Sequence, residues 1–197
     1  LVVEYRSDVT TRAVDGVSFT VEPGETVAIV GESGSGKSTV SQAVMGLLPE
    51  KAAVSGQILF TDQQNGETQD LAALPREGKR MRMIRGNRIA MIFQEPMTAL
   101  NPLMRIGDQI EEVFEAHGRL TGAERRARTL ALVDEVGLPD PKAIVRAYPF
   151  QLSGGQRQRA MIAMALALEP SVLIADEPTT ALDVTTQAQI LDLIRDL

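Results

Sequence analysis

The sequence predicts an α/β fold, and three observations carry that expectation. Residues 26–30 (TVAIV), 89–93 (IAMIF) and 172–175 (VLIA) are short apolar runs with the length and β-branching of buried parallel strands. The first run leads through a glycine-rich loop into a helix-period stretch at residues 37–48, which places a strand, a loop and a helix in that order. Between the second and third runs, residues 104–147 read as mostly helical, a helical insert between two halves of an α/β core.

The elements follow in chain order. Residues 1–5 and 13–21 read as strands joined by a polar turn, and Pro23-Gly24 is a turn signal. In the helix after the glycine loop, Val40, Val44 and Leu47 share a face, and Pro49 stops it. Residues 54–60 read as a strand, followed by an Asn65-Gly66 turn. Residues 76–88 carry Arg76, Lys79, Arg80, Arg82, Arg85 and Arg88, read as a solvated helix face, with acidic lipid headgroups the lesser alternative. In the helical insert Ile110, Val113 and Phe114 share a face, and Gly118 ends that helix. Thr121 with Glu124 forms a capping-box pattern, Leu130, Val133 and Val136 continue the apolar face, and Gly137 sits at the C-cap. Asp140-Pro141 fits a cap and first helical residue. Ser153 with Gln156 opens another helix, running to about residue 168. The last helix, from about Thr185, is amphipathic through Ile190, Leu193, Ile194 and Leu197.

Composition bounds the function. The chain has 197 residues, enough for one domain with a subdomain inserted in it, and 44% hydrophobic with 23% charged residues supports a sizeable core. A net charge of -6 argues against a general nucleic-acid binder. The absence of cysteine excludes disulfides and thiolate sites, and the single histidine, His117, excludes a multi-histidine metal site. No apolar stretch is long enough to span a membrane; residues 160–168 form the longest candidate and read as a buried helix. No signal peptide opens the chain, whose abrupt ends suggest a trimmed fragment.

The strongest chemical signal is the run from Gly31 through Ser33, Gly34, Ser35 and Gly36 to Lys37 and Ser38, with Thr39 beside it; it matches G-x-x-x-x-G-K-[ST] in full. Glycines let the backbone turn tightly around an anion. The loop N–H groups and the helix N-terminus then face phosphate oxygens, Lys37 brings a point charge to the β- and γ-phosphates, and the Ser38 hydroxyl suits Mg²⁺. A second signal is Asp176-Glu177 at the end of an apolar strand. Asp176 suits Mg²⁺, directly or through water, and Glu177 suits the attacking water, as proton acceptor or orienting group. Acidic residues often follow strands, so this pair gains its weight from the glycine loop upstream. A third signal is Leu152-Ser153-Gly154-Gly155-Gln156, a hydroxyl and glycines at a helix N-terminus. By itself that is a capped helix. Beside the first loop it is a second anion site, most economically one that serves a nucleotide held by another subunit.

Together these motifs, with Gln94 after IAMIF and Ala181-Leu182-Asp183 after Glu177, stand in the order found in ABC ATPases, and the chain resembles that family over nearly its whole length. The resemblance implies a P-loop NTPase core at about residues 1–95 and 150–197, an N-terminal antiparallel β subdomain and an inserted α-helical subdomain at about 96–149. It implies ATP and Mg²⁺ as cofactors, and a head-to-tail dimer in which Ser153 and Gly155, within the signature that also holds Gly154 and Gln156, close on the γ-phosphate held by the partner. Tyr5 resembles the residue that stacks on adenine; otherwise it is a strand side chain packed on the sheet. Gln94 resembles the glutamine that reaches Mg²⁺ and the attacking water, and Asp183 a dimer-interface residue. Pro96, Met97, Leu100 and Leu103 suit a docking groove for a permease, or equally packing against the helical insert.

The strings IFQEPMTALNP, YPFQLSGGQRQR and LIADEPTTALDVTTQAQIL are similar to the peptide/nickel importer branch, including glutathione-type importers. Tyr-Pro-His usually precedes the signature there, so Phe150 departs from the pattern. The resemblance implies an ATPase on the cytoplasmic side of the cell membrane, working with transmembrane permease subunits and, indirectly, an extracytoplasmic solute-binding protein, with no nucleic acid. The alternative, a soluble ABC ATPase acting on DNA or ribosomes, lacks its long coiled coil between P-loop and signature. The family's switch histidine lies well past Glu177, beyond Leu197, and His117 does not take that place. A chain without that region is expected to bind ATP and turn it over poorly.

Overall fold

The computed structural model describes residues 1–6, 9–118, 120–179 and 182–195, with side chains at all of these except 96 and 97. Ala181 and Leu197, given places above in a motif and on a helix face, lie outside the described residues. The chain forms two compact units, Leu1–Ile84 and Arg85–Leu197.

In the first unit, Val2–Tyr5 (β1) is the middle strand of an antiparallel sheet, between Thr11–Val14 (β2) and Ala52–Ser55 (β3). Val3 sits opposite Val14 on one side and Val54 on the other. Its side chain is buried with Val14, Ala52, Leu48 and, from helix Lys37–Val44 (α1), Val40 and Ala43. A hairpin of Leu59–Thr61 (β4) and Thr68–Asp70 (β5) follows, then helix Lys79–Ile84 (α2), which buries Met81 and Ile84.

Four sequence expectations change here. The strand expected at residues 13–21 ends at Val14, because Gly16 turns the chain at φ 71° and only Val17 returns, exchanging two backbone hydrogen bonds with Leu1. Residues 26–30 join no strand among the described residues, and Val27, Ile29 and Val30 are exposed, Val30 at 91%. An apolar run becomes a buried strand only where neighbours supply ladder partners, which its own residues cannot specify. The strand expected at residues 54–60 is broken into β3 and β4 at Gly56, φ 94°, where an added Cβ would lie 3.2 Å from the Leu1 backbone. Helix α1 stops short of Pro49, because Gly46 (φ 61°) bonds back to Ala43 and Leu47 to Gln42.

Arg76 does not belong to a solvated helix face. Its guanidinium donates to the carbonyls of Leu48, Pro49 and Ala52 at 2.9, 2.7 and 2.6 Å, tying the segment after α1 to β3. Arg76→Ala is expected to destabilise the protein by about 1–3 kcal/mol, the range for losing charged hydrogen bonds, two of these three being part-buried, read as a lower midpoint in urea. Arg80 behaves more as expected, pairing at the surface with Glu67 and Gln69.

In the second unit, Ile89–Ile92 (β6) pairs in parallel with Val172–Ala175 (β7), Ile89 opposite Val172 and Ile92 opposite Ala175. All four residues of β6 are buried, whereas β7, with one neighbour among the described residues, is half-exposed. After the short helix Pro96–Ala99 (α3), the insert contains Ile106–Ala116 (α4), Gly122–Glu135 (α5) and Pro141–Ile144 (α6). Ile106, Ile110 and Phe114 of α4 meet Leu132, Val133 and Val136, and one apolar cluster joins them to Ile92 and to Ile162 of helix Gly154–Leu166 (α7). The last helix, Val184–Arg195 (α8), buries Ile190 and leaves Leu193 and Ile194 half-buried.

Helix ends follow the sequence signals. The Glu124 carboxylate accepts from both the N–H and the hydroxyl of Thr121 at 2.7 Å, backbone bond first, which holds its pKa below the usual range. Asp140, at φ 46°, caps α6 through Ala143, with Pro141 at the first helical position. His117 is the half-buried C-cap of α4. Gly137 (φ 71°) closes α5, and the Arg159 guanidinium donates to the Val136 carbonyl at 2.5 Å.

Candidate functional site

The P-loop belongs to the first unit. Gly34 and Gly36 take φ 80° and 95°, conformations that cost an L side chain. At Gly36 space decides as well: a Cβ would lie 2.4 Å from the Ala13 carbonyl oxygen, so β2 and the start of α1 approach only across a glycine. At Gly31 an added Cβ would meet the Ser35 hydroxyl at 2.7 Å. Gly36 is the N-cap of α1 and offers no side-chain acceptor, and the first turn holds no acidic residue. The first turn of α1 therefore supplies no counter-charge to the helix's positive end, and its donor set of N–H groups, hydroxyls and one ammonium fits a phosphate chain. Lys37 folds over the loop, its ammonium donating to the Gly31 and Glu32 carbonyls at 3.0 Å each. Ser38 and Thr39 follow it in the first turn, half-buried. Tyr5 is half-buried at the end of β1, opposite Thr11 and Ala52, and packs against the apolar cluster of this unit.

The second unit brings Gln94, Asp176 and Glu177 together. Gln94 stands two residues past the end of β6 and Asp176 directly after β7, and the Asp176 N–H donates to the Ile92 carbonyl at 3.0 Å. Asp176 is 8% exposed. Glu177 takes φ 46°, a strained value for a side-chain-bearing residue. Its carboxylate accepts from the Gln94 amide at 2.8 Å, which fixes where the carboxylate points. Among the described residues no cluster of three or more His, Asp or Glu side chains could hold a metal by itself. Within this unit Gln94 and Asp176 offer mixed oxygen donors, an amide and a carboxylate, after β6 and β7.

The signature turn heads α7. The Ser153 hydroxyl accepts from the Gln156 N–H at 3.3 Å, and the Gln156 amide oxygen accepts from the Ser153 N–H at 2.9 Å, a complete capping box. Ser153 and Gly154 are exposed. Asp183 caps α8: Thr186 donates its hydroxyl at 2.7 Å and its N–H at 3.0 Å to the two carboxylate oxygens. These bonds, hydroxyl first, hold the Asp183 carboxyl below the usual range. The cap is therefore intact above the usual carboxylate range and is lost only as pH falls through the lowered value. Gln187 donates its side-chain amide to the Thr179 and Leu182 carbonyls at 3.2 Å each. Thr186 and Gln187 carry no motif and were not singled out from the sequence; Asp183 followed three residues later by threonine is the N-cap signal that marks the first of them.

The suggested docking group divides. Leu100 is buried in the core of the second unit and is not available for docking, because Gln109, itself buried, staples the 101–104 segment through the Asn101 N–H and carbonyl and the Met104 carbonyl. Leu103 is 85% exposed. Pro96 and Met97 have no described side chains. Phe150, 69% exposed, stacks on Tyr148 with centroids 5.6 Å apart, and Arg105 lies over the Tyr148 ring at 5.9 Å.

The chain is 56% identical over 195 residues to the peptidoglycan transport ATP-binding protein YejF of Agrobacterium fabrum, covering 98% of this chain and 34% of that protein. It is 53% identical over 190 residues to the dipeptide transport ATP-binding protein DppD of Bacillus subtilis, covering 95% and 54%. The oligopeptide transport ATP-binding protein OppD of Lactococcus lactis is 48% identical over 187 residues, covering 94% and 53%. The chain thus spans about a third to a half of the length of these relatives. Among solved structures, the dimeric bacterial ABC transporter cassette MJ0796 superposes with a TM-score of 0.81 at 31% identity, covering 98% of this chain and 78% of that one. The post-hydrolysis dimer of the same cassette, bound to ADP and Pi, gives 0.78 at 30%, with the same coverage. The ABC transporter family model matches residues 14–180, and the chain belongs to that family.

Proposed function

We propose that this chain binds and hydrolyses Mg-ATP as part of a membrane transporter's ATPase subunit, energising uptake of peptides or related small solutes. One observation carries this reading: the chain builds two helix starts that suit an anion, α1 at Gly36 without any side-chain cap and α7 at Ser153 with exposed glycine. One nucleotide uses one of them, so the second serves a nucleotide held by another copy or homologue in a head-to-tail dimer. The dimeric cassettes of similar structure and the transport names of the relatives support this assignment.

Each residue then has a task. Backbone N–H groups of residues 31–36 and the Lys37 ammonium hold the phosphates; Ser33, Ser35, Ser38 and Thr39 add hydroxyls; Tyr5 stacks on the base. Ser38, Gln94 and Asp176 would hold Mg²⁺, which would neutralise phosphate charge. Glu177 orients the attacking water and takes its proton, steadied by Gln94. Ser153, Gly154, Gly155 and Gln156 close on the partner's nucleotide. No helix among the described residues is long and apolar enough to cross a membrane. In this reading permease subunits provide the passage and the ATPase sits on the cytoplasmic face. About 1–95 and 150–197 act as the α/β core and about 96–149 as the helical subdomain.

Phosphate release by the purified intact protein tests this. The expected result is Mg-dependent hydrolysis whose specific activity rises with protein concentration, since each site needs two subunits. Hydrolysis strictly proportional to protein at every dilution, with a monomer in sedimentation under ATP, would overturn the dimer.

A further inference from the structure

The signature turn and the Asp183 turn touch each other through one side chain. A Cβ on Gly155 would lie 2.8 Å from the Thr186 methyl (Cγ2), closer than such atoms approach, so Gly155 is glycine for the sake of Thr186 as well as for any phosphate. From the same β-carbon the Thr186 hydroxyl runs to Asp183 at 2.7 Å. Next to it, an added Cβ on Gly154 would stand 3.8 Å from the Leu182 side chain. One turn further along, Arg159 of α7 donates to Gln189 of α8 at 3.1 Å.

We infer that Thr186 is a positioning residue that locks the signature turn of α7 to the Asp183-capped start of α8, so that the two partner-facing loops of one subunit move as a single piece. The β-branched side chain carries the argument. Threonine has few χ1 options, and one rotamer here places the methyl on Gly155 and the hydroxyl on Asp183. A shift of either turn therefore drags or breaks the other contact. Valine would keep a methyl toward Gly155 and lose the hydroxyl bond to Asp183, with only the backbone N–H bond left; serine would keep both bonds and lose the methyl.

The functional half rests on the dimer reading above, and the test separates the two. In the intact protein, Gly155→Ala is expected to lower the melting temperature. Adding Thr186→Ser, which removes the methyl that the new Cβ strikes, is expected to recover most of that loss, a coupling that a glycine needed only for phosphate approach would not show. In the Glu177→Gln background, Thr186→Val and Thr186→Ala are expected to weaken the ATP-held dimer roughly tenfold, the scale of one lost hydrogen bond to a carboxylate, while ATP affinity of the monomer by calorimetry stays within about twofold. Thr186→Ser alone, which keeps the Asp183 bonds and gives up the Gly155 contact, is expected to give a dimer affinity between those of the parent and Thr186→Ala. No recovery in the double variant overturns the contact. Undiminished dimerisation of Thr186→Ala overturns the positioning role. A parent that binds ATP and never dimerises overturns the dimer reading instead, and the melting temperatures still decide the contact.

Discussion

Glu177→Gln is expected to cut ATP hydrolysis by about a hundredfold to ten-thousandfold, the usual contribution of a positioned general base, while leaving ATP affinity within about threefold. The geometry makes this substitution unusually clean. Gln94 donates its amide to the Glu177 carboxylate at 2.8 Å, and the new side-chain amide oxygen can accept the same hydrogen bond. The loop after β7 therefore keeps its shape, and the strained φ of 46° is untouched, since both side chains share the same stem. What disappears is the capacity to take a proton. Single-turnover phosphate release checks the rate and calorimetry the affinity. With hydrolysis blocked, ATP should accumulate in the dimer, visible as an earlier elution in size-exclusion chromatography with ATP and Mg²⁺. Turnover close to the parent's would show that the water is activated elsewhere and would remove Glu177 from the mechanism.

How much of this was legible beforehand depends on how local each feature is. Capping boxes and glycine turns are written in four or five adjacent residues, and Ser153 with Gln156, Asp140 with Pro141, and Gly137 all appear where the sequence puts them. The fold class and the family were equally readable, because the P-loop, the signature and Asp176-Glu177 are spaced along one chain in a fixed order. Strand extent was not. TVAIV and VLIA look alike as strings, yet VLIA finds β6 as a ladder partner and TVAIV pairs with no strand among the described residues. Burial of a strand is a property of its neighbours, which lie far away in sequence. The same non-locality hid Arg76, whose partners lie 24 to 28 residues upstream. It also hid the second reason for Gly155: a glycine in a signature invites a ligand explanation, and only coordinates reveal the Thr186 methyl against it.

Lys37→Met is expected to weaken ATP binding roughly tenfold to a hundredfold, since a charged hydrogen-bond donor contributes about 1.5–3 kcal/mol. The ammonium spends its hydrogen bonds on the Gly31 and Glu32 carbonyls, both in exposed loop positions. A triphosphate offers the same donors anionic oxygens, which bind an ammonium more strongly than neutral carbonyls do. The exchange favours the nucleotide by that difference, and methionine, of nearly equal length and no charge, forfeits it. Fold stability should hardly move, because the two carbonyls return to water and the buried face of α1, Val40 and Ala43, is unaffected. Lys37→Arg is expected to restore little, because a planar fork replaces a compact charge inside a loop shaped by glycines. Calorimetric titration of ATP into both variants, with a thermal melt of each, separates lost binding from lost folding. A Lys37→Met protein with the parent's affinity and melting temperature would mean that the backbone N–H groups alone carry the phosphates, and the electrostatic account of this loop would have to be abandoned.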